Sequence, residues 1–355
     1  MPRAFLCGAV LAALTVSSAI AQTKNGPSAS GEVAIEIQND WNYRSDDRAN
    51  LYNDLFTKIE PSLTVRFAPE WSLFAHAVLE PVTPADQFEN RAFEDHGLFV
   101  EDLYLEFDNG TFGARAGKLN VGFGVAWEIA PGVYGRDFAE DGYETSERIG
   151  VIGSYTLDAA RAGRHRFSAG SFFQDTTVLS ESTFRGRGDT RRQDGGVSNT
   201  ESFESFILSA NGENIAALGK LGYHVAYMHQ AKGAGDAADE DSIAVALFSS
   251  FDIGGGVTFS PLLEYVRQDS PGGVADDERD FLTLAGTAEW KGFNVAAAWT
   301  RRDTDSIPDD DYQFQLSAGY AFGFGVSVDV GWKIANEGGI ETRTIGILVA
   351  YGLEF

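Results

Sequence analysis

The chain has 355 residues, with 52 Asp plus Glu against 27 Lys plus Arg, a formal net charge of −25, and one cysteine. So acidic a chain is a poor partner for nucleic-acid phosphates, and a lone cysteine can form no intrachain disulfide. Its 40 glycines, 12% aromatic content and two methionines argue against a helical protein.

The first segment, MPRAFLCGAVLAALTVSSAIAQ, sets Arg3 before an apolar core from Ala4 to Val16 and ends in the small-x-small triplet Ala19-Ile20-Ala21. That order is a secretory signal peptide. Residues 1–21 are expected to be removed, leaving residues 22–355 from Gln22 as one exported domain, since no Pro/Ser-rich linker or composition break divides it. Cys7 leaves with the signal, which excludes Cys metal sites and Cys nucleophiles from the mature domain. Beyond the signal, no apolar run is long enough to span a bilayer as a helix.

From there the dominant pattern is alternation. GEVAIEIQNDWNY sets Val33, Ile35, Ile37, Trp41 and Tyr43 against Glu32, Glu36, Gln38, Asp40 and Asn42. LFTKIEPSLTVRF separates Leu55, Ile59, Leu63, Val65 and Phe67 from Lys58, Glu60, Thr64 and Arg66. Successive side chains of a strand point to opposite faces, so each run is a strand with one greasy side. Further strands are expected near 72–80, 98–108, 111–119, 148–158, 165–174, 203–211, 220–230, 242–252, 257–268, 280–290, 293–302, 312–322, 325–334 and 342–355, which makes sixteen. In the twelfth, DFLTLAGTAEW, the two faces are ambiguous.

The connections alternate in length. Those at 68–71, 109–110, 253–256, 291–292 and 323–324 are short, and those at 81–97, 120–147, 175–202, 231–241, 269–279 and 303–311 are long. Aromatics gather beside the short turns (Phe67, Trp71, Phe107, Phe112, Trp290, Phe293) and again near the opposite strand ends (Trp41, Tyr43, Tyr265, Trp299, Trp332). Alternating runs of about ten residues with short turns at one end, long loops at the other and two aromatic girdles specify an all-β, transmembrane antiparallel β-barrel. A soluble β-sandwich also alternates, but it gives no reason for the last two features.

In lipid every backbone polar group must be paired, so a spanning sheet closes and its last strand bonds its first. The chain ends accordingly, on an apolar face running from Ile345 through Ile347, Val349, Tyr351 and Leu353 to Phe355. Tyr351, Leu353 and Phe355 resemble the terminal signal by which Gram-negative outer-membrane proteins are recognised for insertion. Joined to the signal peptide and the sixteen strands, they make the whole mature domain resemble a bacterial outer-membrane porin of the general 16-stranded superfamily. The resemblance implies an outer-membrane location among lipid and lipopolysaccharide, insertion by the barrel-assembly machinery, a homotrimer and no cofactor.

A barrel of about sixteen strands encloses an aqueous channel. By the alternation, acids outnumber bases on its inward face. The connection NVGFGVAWEIAPGVYGRDFAEDGYETSE, 120–147, is too apolar for a solvated loop yet carries Glu128, Asp137, Glu140, Asp141, Glu144 and Glu147. It resembles the third loop of general porins, which folds inward and narrows the pore. On that resemblance its acids would face a basic wall drawn from Lys58, Arg66, Arg115 and Arg148. The start of the loop, Gly117-Lys118-Leu119-Asn120-Val121-Gly122-Phe123-Gly124, also resembles a stretch of phosphate-selective-type porins, with Gly122 where that pattern has proline.

No nucleophile elbow or complete P-loop is present. The histidines, with His76 and His224 on inward positions, show no metal-ligand spacing, and Arg185, Arg187, Arg191 and Arg192 suit a solvated loop. The expectation is a non-enzymatic, weakly cation-selective pore for ions and small hydrophilic solutes. The alternatives are a channel for phosphate or another small anion, and a plugged scaffold that displays its loops to a partner.

Overall fold

The computed structural model describes residues 26–188 and 190–355, so the signal-peptide segment lies outside the described residues. Among the described residues sixteen strands form the wall. The first eight are β1 (Ser28–Ser45), β2 (Asn53–Ala68), β3 (Trp71–Pro81), β4 (His96–Asp108), β5 (Phe112–Leu119), β6 (Arg148–Asp158), β7 (Arg164–Gln174) and β8 (Ser205–Ile215). The others are β9 (Leu221–Gln230), β10 (Glu240–Phe248, continued by Phe251–Gly254), β11 (Val257–Asp269), β12 (Glu278–Trp290), β13 (Phe293–Thr304), β14 (Asp311–Ala321), β15 (Val326–Glu337) and β16 (Ile340–Glu354). Each pairs antiparallel with the next, and β16 returns to β1 from Glu32↔Glu354 to Ser45↔Thr342. All sixteen expected strands are present, with ends displaced by a few residues.

Closure extends to the last residue. Gly31 N donates to Phe355 O at 2.9 Å and Phe355 N to Gly31 O at 3.0 Å, so the terminal carboxyl end is held in the ladder. Deleting Phe355 is expected to lower the yield of folded barrel, because this closing pair and the terminal aromatic are lost together. The heat-modifiable band on a gel measures that yield, and an undiminished band would refute the role given to Phe355.

The tight turns use residues suited to them. Lys291 and Gly292 both have positive φ (51° and 87°), as a two-residue hairpin turn that follows strand twist requires. Beside these turns the rings form a girdle in which Trp71 lies 5.1 Å from Phe107, Phe112 5.4 Å from Tyr155 and Phe293 4.6 Å from Tyr320. At the other end Trp41 lies 5.8 Å from Tyr43, whose hydroxyl accepts from Trp332 Nε1 at 2.9 Å. The exposed outer face between is Ile37, Leu63, Leu105, Val245, Leu284, Val330, Ile347 and similar residues, a surface suited to hydrocarbon.

β5 is short, and on its side the upper half of β4 has no β5 partner, the pairing running only from Leu103 to Asp108. The loop after β7 fills this seam. Thr183 pairs with Leu98 through hydrogen bonds of 2.9 and 3.2 Å. Below it the Lys118 ammonium, fully buried, lies 2.7 Å from Glu147 and 2.9 Å from Asp175 and donates to Leu179 O at 3.0 Å. Arg187 grips the same Glu147 with two nitrogens and lies 3.9 Å over the Phe99 ring. Arg185 faces Asp95 and Arg192 faces Glu201, so three of the loop's arginines are ion-paired.

Candidate functional site

The third loop, 120–147, turns into the barrel because its own apolar residues find their partners there. Val121, Phe123, Ala126, Ala130, Ala139 and Tyr143 are buried in one cluster with Ile207, Met228, Leu262, Val266 and Phe281 of the inner wall. Each large side chain so buried contributes roughly 1.5–3 kcal/mol. This explains the ambiguous twelfth strand: Phe281 of β12 points inward beneath the loop, 5.1 Å from the Tyr143 ring, so its inner face need not be polar.

Polar side chains of the wall satisfy the loop's backbone. Glu264 of β11 accepts from Val125 N at 2.6 Å, Ala126 N at 2.9 Å and the Tyr143 hydroxyl. His224 of β9 accepts from Gly124 N at 3.1 Å. On β14, Gln315 donates to Pro131 O at 2.9 Å and Gln313 donates to Tyr134 O. The Tyr134 hydroxyl donates to Asp40 of β1 at 2.7 Å, and here β16 must carry glycine, because a Cβ on Gly346 would stand 2.0 Å from that hydroxyl. The loop is thereby tied to β1, β9, β11 and β14, on widely separated parts of the wall.

Two short helices carry the loop's charges, α1 (Ala126–Ile129) with Glu128 and α2 (Asp137–Tyr143) with Asp137, Glu140 and Asp141. Asp137 bonds Lys333 of β15 at 2.8 Å. Asp141 has its carboxyl raised by burial and by Asp137 and Glu337, against Lys333 and Arg302. Glu140 pairs with Arg136 at 3.3 Å, and burial raises its carboxyl against the pull of Arg136 and Lys58. Glu128 is raised by burial, opposed by Arg136. Glu144 is pushed up to about 8 by burial, then by the charges of Glu101 and Glu140, with Lys58 and Arg136 opposing.

Glu147 does not join them; it is held by Lys118 and Arg187 in the sealed seam. The four expected wall bases also part company. Arg66, Ser72, Glu106 and Arg115 follow one another in a single row of cross-strand partners. That row lies toward the short-turn end, where Arg66 donates to Pro69 O at 3.1 Å and Arg115 to Glu106 at 2.9 Å. Arg148 lies at the long-loop end, paired in register with Leu119 and Gln174 and donating to Ser146 O at 2.8 Å. Arg148 interacts from that end with Glu147 and Glu144, and Lys58 interacts with Glu140 and Glu144 while bridging Glu60 at 3.3 Å and Glu80 at 3.6 Å. The cations that meet α2 from the far side, Lys333 and Arg302, hold inward positions readable from alternation, but nothing in the alternation names α2 as their partner.

Across from Glu140 and Glu144, β1 to β4 therefore present Glu36, Glu60, Glu80, Glu101 and Asp102 with Lys58 and His76. Glu101 gets there through a β-bulge: Asp102 pairs with His76 and Val100 with Ala77, leaving Glu101 as the extra residue. Bulges re-aim side chains in this way. The bulge brings donor atoms of Glu60, His76 and Glu101 within 4.8 Å of one another, a proximity that sequence spacing does not contain.

A closed sixteen-stranded barrel with an apolar exterior, a charged interior and an infolded loop defines a membrane-spanning channel of the outer-membrane kind. The sequence profile of the Gram-negative porins matches residues 8–354, and the chain belongs to that family. The fold is similar to that of OprB of Pseudomonas putida, with TM-score 0.65 and 10% identity over 93% of this chain and 94% of that one. It is similar to the outer membrane channel DcaP of Acinetobacter baumannii, with TM-score 0.61 and 10% identity over 92% and 98% of the two chains. An anion-selective porin from Comamonas acidovorans aligns with TM-score 0.53 and 12% identity over 93% and 100%. Among curated proteins none matches the chain by sequence. The protein is an outer-membrane channel of the porin type.

Proposed function

We propose that the protein is a water-filled, weakly cation-selective pore for passive diffusion of ions and small hydrophilic solutes, narrowed by the third loop, and that it has no catalytic role. The observation that carries the proposal is the placement of Glu140 and Glu144 opposite Glu36, Glu60, Glu80 and Glu101, with Lys58 and Arg136 the cations between them. Like charge on both sides of a narrow aqueous path concentrates cations. A channel for phosphate or another small anion, with the anion selectivity of the Comamonas porin, would need unpaired cations on this path. Lys58, Lys333 and Arg302 are each bound to carboxylates. Export by a signal peptide cut before Gln22, assembly by the barrel-assembly machinery and a homotrimer belong to the same proposal.

Reversal potentials in a salt gradient test it. A cation preference is expected, weakening as salt shortens the screening length from about 10 Å at 0.1 M to about 3 Å at 1 M. The preference should also rise from pH 6.5 to pH 9: Glu144, pushed up to about 8, is mostly neutral below that pH and negative above it. Glu144→Gln should flatten this rise. An anion preference, or absence of conductance as in a plugged scaffold, would overturn the reading.

A further inference from the structure

We infer that His76, Glu101, Glu60 and Asp102 form a binding site for a divalent transition-metal ion of the zinc class on the inner wall of the barrel. His76 Nδ1 lies 3.1 Å from Glu101 Oε2 and 3.6 Å from Asp102 Oδ2, while its Nε2 faces Glu60 Oε1 at 3.9 Å. Metal–ligand bonds of about 2.0–2.1 Å in a tetrahedral shell space neighbouring donors roughly 3.3 Å apart. Donor atoms of Glu60, His76 and Glu101 all lie within 4.8 Å of one another, close enough for small side-chain shifts to bring them onto one ion, with Asp102 beside the imidazole.

Three further observations favour an ion here. The second oxygen of Asp102, Oδ1, is already engaged by Asn120 N at 3.1 Å, which leaves Oδ2 turned to His76. The only lysine of the cluster, Lys58, is taken by Glu60 and Glu80, so Glu101 and Asp102 have His76 rather than a lysine or arginine as their ion-pair partner among the described residues. The site is about four-fifths buried, at 16% exposure for His76, 21% for Glu101 and 17% for Asp102, where an unneutralised carboxylate pair is costly. Imidazole among the donors selects zinc, copper or nickel over magnesium and calcium, which take all-oxygen shells.

The test is isothermal titration of the detergent-solubilised barrel with zinc chloride, with magnesium chloride as comparator. One zinc per barrel is expected, undisturbed by equimolar magnesium, with affinity at least tenfold lower in His76→Gln and in Glu101→Gln. The heat-modifiable gel band of each variant shows that it has folded. Three results would overturn the inference: no saturable zinc heat, equal binding of magnesium, or unchanged zinc affinity in folded His76→Gln. The last two would mean that the carboxylates act only as a diffuse negative patch or that His76 is their protonated counter-charge. Because the readout is binding, its failure leaves the pore reading intact, and an absence of conductance in the wild type would leave the metal site intact.

Discussion

Replacing Glu264 with alanine is expected to release the third loop and to raise the single-channel conductance, with larger current fluctuations than the wild type shows. Glu264 accepts two backbone N–H groups and the Tyr143 hydroxyl, and hydrogen bonds to a charged group are worth about 1.5–3 kcal/mol each. Its loss also strands these donors in a buried, apolar setting, so a loosening of roughly 3 kcal/mol or more is expected. The wall itself should survive, because the β11 ladder to β10 and β12 is made by backbone groups that the substitution leaves in place. Liposome-swelling assays with sugars of graded size give an independent measure, since a released loop admits larger solutes. Conductance and size limit both unchanged in Glu264→Ala would mean that the apolar cluster around Phe123 and Phe281 holds the loop unaided.

The second large effect is expected at Lys118. Its ammonium is fully buried between Glu147 and Asp175, and removing one partner from a buried ionic cluster costs about 3–5 kcal/mol, because the remaining charges are left uncompensated. Lys118→Met keeps the length of the side chain and removes only the charge. The loop after β7 should then detach from the seam beside β4, taking with it the Leu98–Thr183 bridge and the Arg187 contact over Phe99. Limited trypsin digestion should cut at the exposed Arg191 and Arg192, and the temperature at which the folded gel band is lost should fall. Arg187→Met should act in the same direction with a smaller effect, since Arg187 keeps partial contact with solvent and Glu147 retains Lys118. An unchanged digestion pattern in Lys118→Met would show that the backbone bridge alone seals the wall.

The outline of the barrel was legible in the sequence because it rests on a local rule. A period of two along each strand separates what faces lipid from what faces water, and that separation needs no knowledge of the neighbouring strands. Val33, Ile35 and Ile37 reveal β1, and Tyr351, Leu353 and Phe355 reveal β16, without either naming the other as its partner. The requirement that no backbone group be left unpaired in hydrocarbon then joins the two. That the third loop is not a solvated one was likewise legible in its composition, since residues such as Phe123, Trp127, Tyr134 and Phe138 gain little from solvent; its inward direction was implied by resemblance to the third loop of general porins.

The residues of the site were harder to read, and each departure has a cause that alternation does not contain. Lys118 sits on the outward parity of β5, yet it is buried because a loop from beyond β7 covers that stretch of wall. Glu101 leaves its expected face because of a bulge. Glu147, grouped by composition with the constriction acids, is drawn to Lys118 and Arg187 at the root of the loop. Lys58, Arg66, Arg115 and Arg148 share an inward parity but not a height, and height depends on register summed around the strands.

The sequence by itself therefore determined the class of structure, the number of strands and the lipid-facing surface, all consequences of side-chain period, turn length and the cost of unpaired backbone in a membrane, while the inward turn of the third loop was implied by its resemblance to that of general porins. Only the tertiary structure decided which charges meet. Ion pairs and donor clusters form between residues on different strands and loops, and a charge interacts strongly only within a few ångströms. Strand stagger, one bulge and one covering loop thus set Glu144 against Glu101, Asp137 against Lys333 and Glu101 against His76.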